Sequence, residues 1–135
     1  MLLSLPKNLG GYWISKPALN YSIPMTDEEK FFHKRNAIIV DCAWPKDGLA
    51  LEYDSDFFHY GDEKRIEDSI RRNIIFALGF DVTTITRKEF NDIARMDSIA
   101  SVLELKLGKR RKNLSLEYIQ RRICLREQLK ASREK

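Results

Sequence analysis

The sequence predicts an α/β fold, a mixed β-sheet covered by helices, and three observations predict it. Two apolar runs flank a tight turn, Ile38-Ile39-Val40 before it and Leu49-Ala50-Leu51 after it, as in a β-hairpin. A long helical pattern over Asp62–Leu78 then leads into a β-branched stretch, Phe80–Thr86. Two further helical patterns close the chain. A hairpin, a helix and another strand together make a mixed sheet, and the helices cover it.

Taken in order, residues 1–19 carry Leu2, Leu3, Leu5 and Leu9 ahead of Gly10-Gly11, which reads as the end of a helix followed by a break. Asn20–Met25 reads as a first strand, restricted by Pro24 to an edge or to its end. Thr26–Lys30 is polar and suits a single helical turn. Ala37–Ala43 and Leu49–Ser55 are the hairpin strands, joined through Pro45-Lys-Asp-Gly48. Phe57-Phe58 brings the chain to His59, and Gly61 closes that loop. In the helix beyond, Ile66, Ile70, Ile74 and Leu78 are spaced to line one core face, with Asp62 as N-cap and Gly79 as the stop. Thr86-Arg-Lys-Glu89 is a capping-box pattern, expected to start a helix that runs to Leu107 and ends at Gly108. Lys109-Arg-Arg-Lys112 is a basic linker. Leu116–Lys130 is the last helix, with Leu116, Ile119 and Ile123 on one side.

Composition bounds the possibilities. The chain of 135 residues is long enough for one domain with a real core, and 43% hydrophobic with 33% charged residues places it among soluble globular proteins. Its apolar runs are too short to span a bilayer, and Met1–Pro6 has neither the basic region nor the apolar length of a secretory signal. Cys42 and Cys124 stand in no metal-ligand spacing, so a reducing cytoplasm is the expected compartment. The net charge of +4 is unevenly spread: from Lys106 onward there are 11 Lys or Arg against 3 Glu, and the first 105 residues hold 13 against 17 acids. The basic tail is either a contact for a polyanion or a solvated helix face.

The hairpin carries acids where a core face is usually apolar. Glu52 and Asp54 share one face of their strand, with Leu49, Leu51 and Tyr53 on the other. Pairing across the turn brings Asp41 near them. Three carboxylates that close repel one another unless a proton or a cation offsets the charge. From the residues alone the trio is either a site for a divalent cation or a solvated hairpin end. His59, whose ordinary pKa of about 6.5 lets it move a proton near neutrality, is either a general base or a loop residue packed between Phe58 and Tyr60. Asp68 stands three and four residues before Arg71 and Arg72, the spacing of a local ion pair; the other possibility turns an Arg toward the acids or toward a phosphate. Trp13 and Trp44 read as packing residues and His33 as a surface one.

In sequence order these features resemble the PD-(D/E)xK nuclease superfamily, and more narrowly the branch related to the very-short-patch repair endonuclease. The residues that carry the likeness are Asp41 with Trp44-Pro45, Glu52-Tyr-Asp54, His59, Asp68-Ser-Ile-Arg71 and Gly79-Phe-Asp-Val82. Gly10-Gly-Tyr12, Pro17-Ala-Leu-Asn20 and Glu52-Tyr-Asp-Ser-Asp56 are also similar to proteins in which this domain follows an N-terminal regulator-like region. The resemblance implies a restriction-endonuclease-like core of a helix, a three-strand meander, a helix and a strand. It divides the chain into a nuclease-like domain, residues 1–108, with a truncated first helix, and a basic linker with a C-terminal helix, residues 109–135.

The implied activity is metal-dependent hydrolysis or nicking of DNA. Asp41, Glu52 and Asp54 would hold Mg²⁺ or Mn²⁺, and His59 would act as general base. Arg71, Arg72, Lys109, Arg110, Arg111 and Lys112 would contact the nucleic acid. Two departures stand against a simple transfer. Asp54 occupies the place of the superfamily's usual Lys, which the narrower branch commonly lacks too, and only Met1–Leu9 remains of the first helix. They motivate the alternative of a nuclease-fold module that no longer cuts and binds DNA or a protein partner in a regulatory or defence system. DNA is the expected partner, with RNA left open and no membrane; a homodimer, or an N-terminal regulatory region absent from this chain, completes the set.

Overall fold

The computed structural model describes residues 2–55, 61–108 and 115–133. They form two compact units, one of Pro17–Asn91 and one of Met1–Lys16 with Asp92–Lys135.

The Pro17–Asn91 unit contains β1 (Ala18–Ser22), α1 (Asp27–His33), β2 (Ile39–Trp44), β3 (Leu49–Asp54), α2 (Asp62–Ala77), β4 (Asp81–Thr86) and α3 (Arg87–Asn91). Its strands form one open, mixed, four-stranded sheet in the order β1-β2-β3-β4. The first two pairings are antiparallel, and β3 with β4 is parallel, joined through α2. The α/β class expected from the hairpin and crossover is therefore the one observed.

Local chemistry explains the element ends. Pro45 and the left-handed Gly48 (φ 59) make a one-turn 3₁₀ bridge between β2 and β3. Only glycine fits there, because a Cβ would lie 2.6 Å from the Gly79 carbonyl oxygen. Helix α2 ends in a Schellman motif: Gly79 N–H donates to Phe76 O at 3.0 Å and Phe80 N–H to Ile75 O at 3.1 Å. Its N-cap is Gly61, one residue before the expected Asp62. Thr26 and Glu29 form a capping box that extends the expected single turn to the seven residues of α1. The first strand starts at Ala18, two residues before the expected Asn20, and stops short of Pro24. The core of this unit joins Ile23, Ile38, Val40, Ala43 and Ala50 to Ile74, Ile75 and Phe80.

Two expectations about helices are corrected. Ile66 and Ile70 do not belong to the core: they are 60% and 50% exposed, while Ile74 and Ile75 are buried. The inward stripe runs instead through Asp68, Arg71, Ile75 and Leu78, so its N-terminal half is polar. The helix expected from Thr86 to Leu107 is broken at Asp92. The Thr86–Glu89 box does form, with Thr86 N–H donating to Glu89 Oε2 at 2.9 Å. Asp92 then takes extended backbone and its carboxylate accepts the Arg95 N–H at 3.1 Å, capping a second helix.

The other unit holds a 3₁₀ turn (Lys7–Leu9), α4 (Ile93–Lys106) and α5 (Leu116–Arg133). Leu2–Leu9 form turns and this 3₁₀ segment, not the end of an α-helix. Gly10, left-handed at φ 86, brings the turn against α5, where a Cβ would lie 2.5 Å from Arg121 O. Trp13 is largely exposed, against expectation, whereas Trp44 of the other unit is buried. Helix α5 buries Tyr118, Arg122 and Arg126 and exposes Leu116 and Ile123. Arg122 is held by Asp97, and its guanidinium lies over the rings of Tyr118 and Tyr12 at 4.7 and 5.4 Å. Tyr12 donates to the same Asp97 oxygen at 2.6 Å, and Tyr118 to Gly11 O at 2.9 Å. Among the described residues, no helix is long and apolar enough to cross a membrane.

Candidate functional site

The site forms where the β2–β3 ladder ends. Paired residues run Trp44↔Leu49, Ala43↔Ala50 and Cys42↔Leu51, which leaves Asp41 and Glu52 next in register, opposite each other. There the backbone pairing gives way to a side chain: Tyr53 N–H donates to Asp41 Oδ2 at 2.8 Å. On the other flank of β2, Asn20 sits between the pairs Leu19↔Cys42 and Tyr21↔Val40 with φ 46. Asn accepts left-handed backbone more readily than most residues, and it places a kink beside Asp41.

Glu52 is held from α2. Arg71 Nη1 lies 2.7 Å from Glu52 Oε1 and 2.9 Å from Oε2. Its Nη2 donates to the Ile39 carbonyl at 2.7 Å. The guanidinium thus ties α2 to two strands at once. Of the two sequence possibilities for Arg71, the one that turns it toward the acids is the geometry found. Parallel pairing sets Glu52 beside Thr84 and Asp54 beside Thr86.

Asp41, Glu52, Asp54, Arg71 and Thr84 line one open pocket of ≈ 320 Å³. Asp41, Glu52, Asp54 and Asp68 supply its acids, and Lys64, Arg71 and Arg72 its cations. The pocket lies at the carboxyl ends of the parallel β3–β4 pair, where open α/β sheets characteristically take ligands. Lys64 and Thr84 were missed in the sequence. Lys64 was within reach, since it shares with Asp68 and Arg71 one polar face of α2 at helical spacing. Thr84 had no signal beyond its strand.

Beside the pocket, Cys42 is buried; burial first, and the Asp41 charge second, push its thiol above the ordinary 9.0. That makes it a packing residue and not a nucleophile. His59 and Lys109, Arg110, Arg111 and Lys112 lie outside the described residues.

Among the described residues, no group of three or more His, Cys, Asp or Glu side chains comes together in a way that would hold a metal ion. Asp54 shares the pocket with Asp41 and Glu52 without completing such a group. The donor chemistry still fits a hard, hydrated cation, because Mg²⁺ takes one or two carboxylates and keeps several waters. Asp41 and Glu52, opposite in register on an open polar wall, are the pair that suits it.

Fold and pocket together define an α/β protein with a mixed four-stranded sheet and a charged cleft at its parallel edge. In comparisons with family models, curated proteins and solved structures, nothing matches this chain.

Proposed function

We propose that this chain is a metal-dependent endonuclease that hydrolyses or nicks DNA, built on a restriction-endonuclease-like core. The observation that carries the reading is the pocket's mixture of charge. Among the described residues, four carboxylates against three cations leave a formal balance of −1, which repels a phosphodiester. One divalent cation reverses the sign and makes the same pocket attractive to a DNA backbone. Asp41 and Glu52 would hold that cation. When bound, it supplies Lewis acidity and lowers the pKa of a coordinated water.

The chain's own residues do the rest. Tyr53 N–H orients the Asp41 carboxylate, and Arg71 orients that of Glu52. Arg72 and Lys64 stand on the same wall as donors for phosphate oxygens. His59 is the residue assigned to proton transfer, and Lys109–Lys112 the stretch assigned to non-specific grip on the backbone. The order of pairings along the sheet supports the core that the sequence resemblance implies.

Nicking of supercoiled plasmid tests the reading. Wild-type chain with Mg²⁺ or Mn²⁺ should convert plasmid to open circles, and chelator, Asp41→Ala and Glu52→Ala should each abolish conversion. DNA binding should largely survive in both variants. Unchanged nicking by Asp41→Ala would refute the assignment.

A second reading, a nuclease-fold module that binds DNA without cutting, is favoured by one specific observation. Glu52 already has a full counter-charge in Arg71. On that reading DNA binds equally well with and without divalent cation.

A further inference from the structure

We propose that Arg71 is the built-in counter-ion of Glu52 and that it competes with a divalent cation for that carboxylate. The inference rests on the metal-dependent reading above and names how the same site is regulated. One nitrogen, Nη1, approaches both carboxylate oxygens, at 2.7 and 2.9 Å. A cation taking Glu52 as a ligand must therefore draw on an oxygen that Arg71 already holds, and must accept a positive charge beside it.

The geometry makes release cheap. Nη2 has its own acceptor, the Ile39 carbonyl at 2.7 Å, so the guanidinium keeps an anchor when Nη1 lets go. Ile39 lines the same pocket, and Arg72 follows on the next position of α2. An Arg71 freed from Glu52 thus remains on the pocket wall as a donor for the incoming phosphodiester. Loading the cation and arming a phosphate-binding arginine become one event. Without cation the acid is neutralised and the pocket is closed to polyanions by its own charge balance.

The test is calorimetric titration of the full chain with MnCl₂, in wild type, Arg71→Gln and Arg71→Lys. Arg71→Gln removes the competing charge and should bind Mn²⁺ at least about tenfold more tightly than wild type. Arg71→Lys keeps a positive charge and should stay close to wild type. Equal or weaker Mn²⁺ binding by Arg71→Gln overturns the competition and leaves the nuclease reading standing. Absence of Mn²⁺ binding by wild type and Arg71→Gln alike overturns both.

A second measurement needs no variant. In wild type, the side-chain nitrogen resonances of Arg71 should shift as diamagnetic Mg²⁺ is added. Resonances that stay fixed while Mg²⁺ saturates the site overturn the proposal.

Discussion

Arg71 on α2 and Glu52 on β3, nineteen residues apart in the chain, form an ion pair in which one guanidinium nitrogen serves both carboxylate oxygens. Their side chains are 29% and 22% exposed, so the pair is partly sheltered from solvent screening. It joins the crossover helix to the sheet at the point where the pocket opens. A double-mutant cycle of Arg71→Met and Glu52→Gln in metal-free buffer should give a coupling of about 1–2 kcal/mol, between an exposed ion pair and a fully sheltered charge-assisted bond. Urea unfolding measures it. Coupling near zero would mean that this ion pair adds nothing to the packing of Ile74, Ile75 and Phe80 that joins helix and sheet.

Asp41 has two separable duties. Its Oδ2 accepts the Tyr53 N–H where the strand ladder stops, and its charge faces the pocket. Asp41→Asn keeps an acceptor of the same shape, so its melting temperature should stay near wild type. Asp41→Ala leaves the amide without that acceptor, which costs about 1 kcal/mol and lowers the melting temperature by about 3–5 °C. Both should lose plasmid nicking. Thermal melts set beside nicking assays then distinguish a chemical loss from a folding loss.

The hairpin was legible because two signals agreed: apolar runs of strand length, and Pro45 with Gly48 between them. The acids on it were legible for the same reason, since they broke an otherwise apolar strand pattern. The core face of α2 holds for its C-terminal half, Ile74 and Leu78, and fails for its N-terminal half. Ile66 and Ile70 made a tempting stripe, but the inward positions beside them are Asp68 and Arg71, which serve the pocket and not the core. Helical spacing alone cannot tell these faces apart when the buried one is polar. The break at Asp92 hid inside a continuous helical pattern, where only a cap could reveal it. Burial of Arg122 was beyond reach: its partner Asp97 is 25 residues away, and Tyr12, on the same carboxylate, is 85 residues from Asp97.

Gly48 ties the hairpin turn to the end of α2. Its φ of 59 and the 2.6 Å approach of Gly79 O leave no room for a side chain, while its own carbonyl accepts Asp81 N–H at 2.8 Å. Gly48→Ala should therefore destabilise the chain by about 1–3 kcal/mol through backbone strain and displaced neighbours. Chemical denaturation reads the loss, and near-wild-type stability would show that the turn relaxes without disturbing β4.

The Tyr12–Asp97–Arg122 cluster should make stability fall in alkali. Burial first, and the hydrogen bond to Asp97 second, raise the Tyr12 hydroxyl above its ordinary 10.0, with Arg122 opposing. Burial likewise raises Tyr118 above 10.0 and Cys42 above 9.0. Each group is neutral when protonated, and the folded chain holds the proton more tightly than the unfolded one. The stabilisation is complete below the unfolded values and is lost as pH climbs above them toward the folded ones. Urea midpoints should thus stay level to about pH 8, where the ordinary thiol begins to ionise, and decline more steeply as the ordinary tyrosine pKa of about 10 is passed. Tyr12→Phe removes the largest contributor. It should cost about 1 kcal/mol at neutral pH through the lost bond to Asp97 and flatten the alkaline decline, as long as α5 still packs on the turn at Gly10. A midpoint profile from pH 8 to 11 that is identical in wild type and Tyr12→Phe would place the alkaline sensitivity elsewhere.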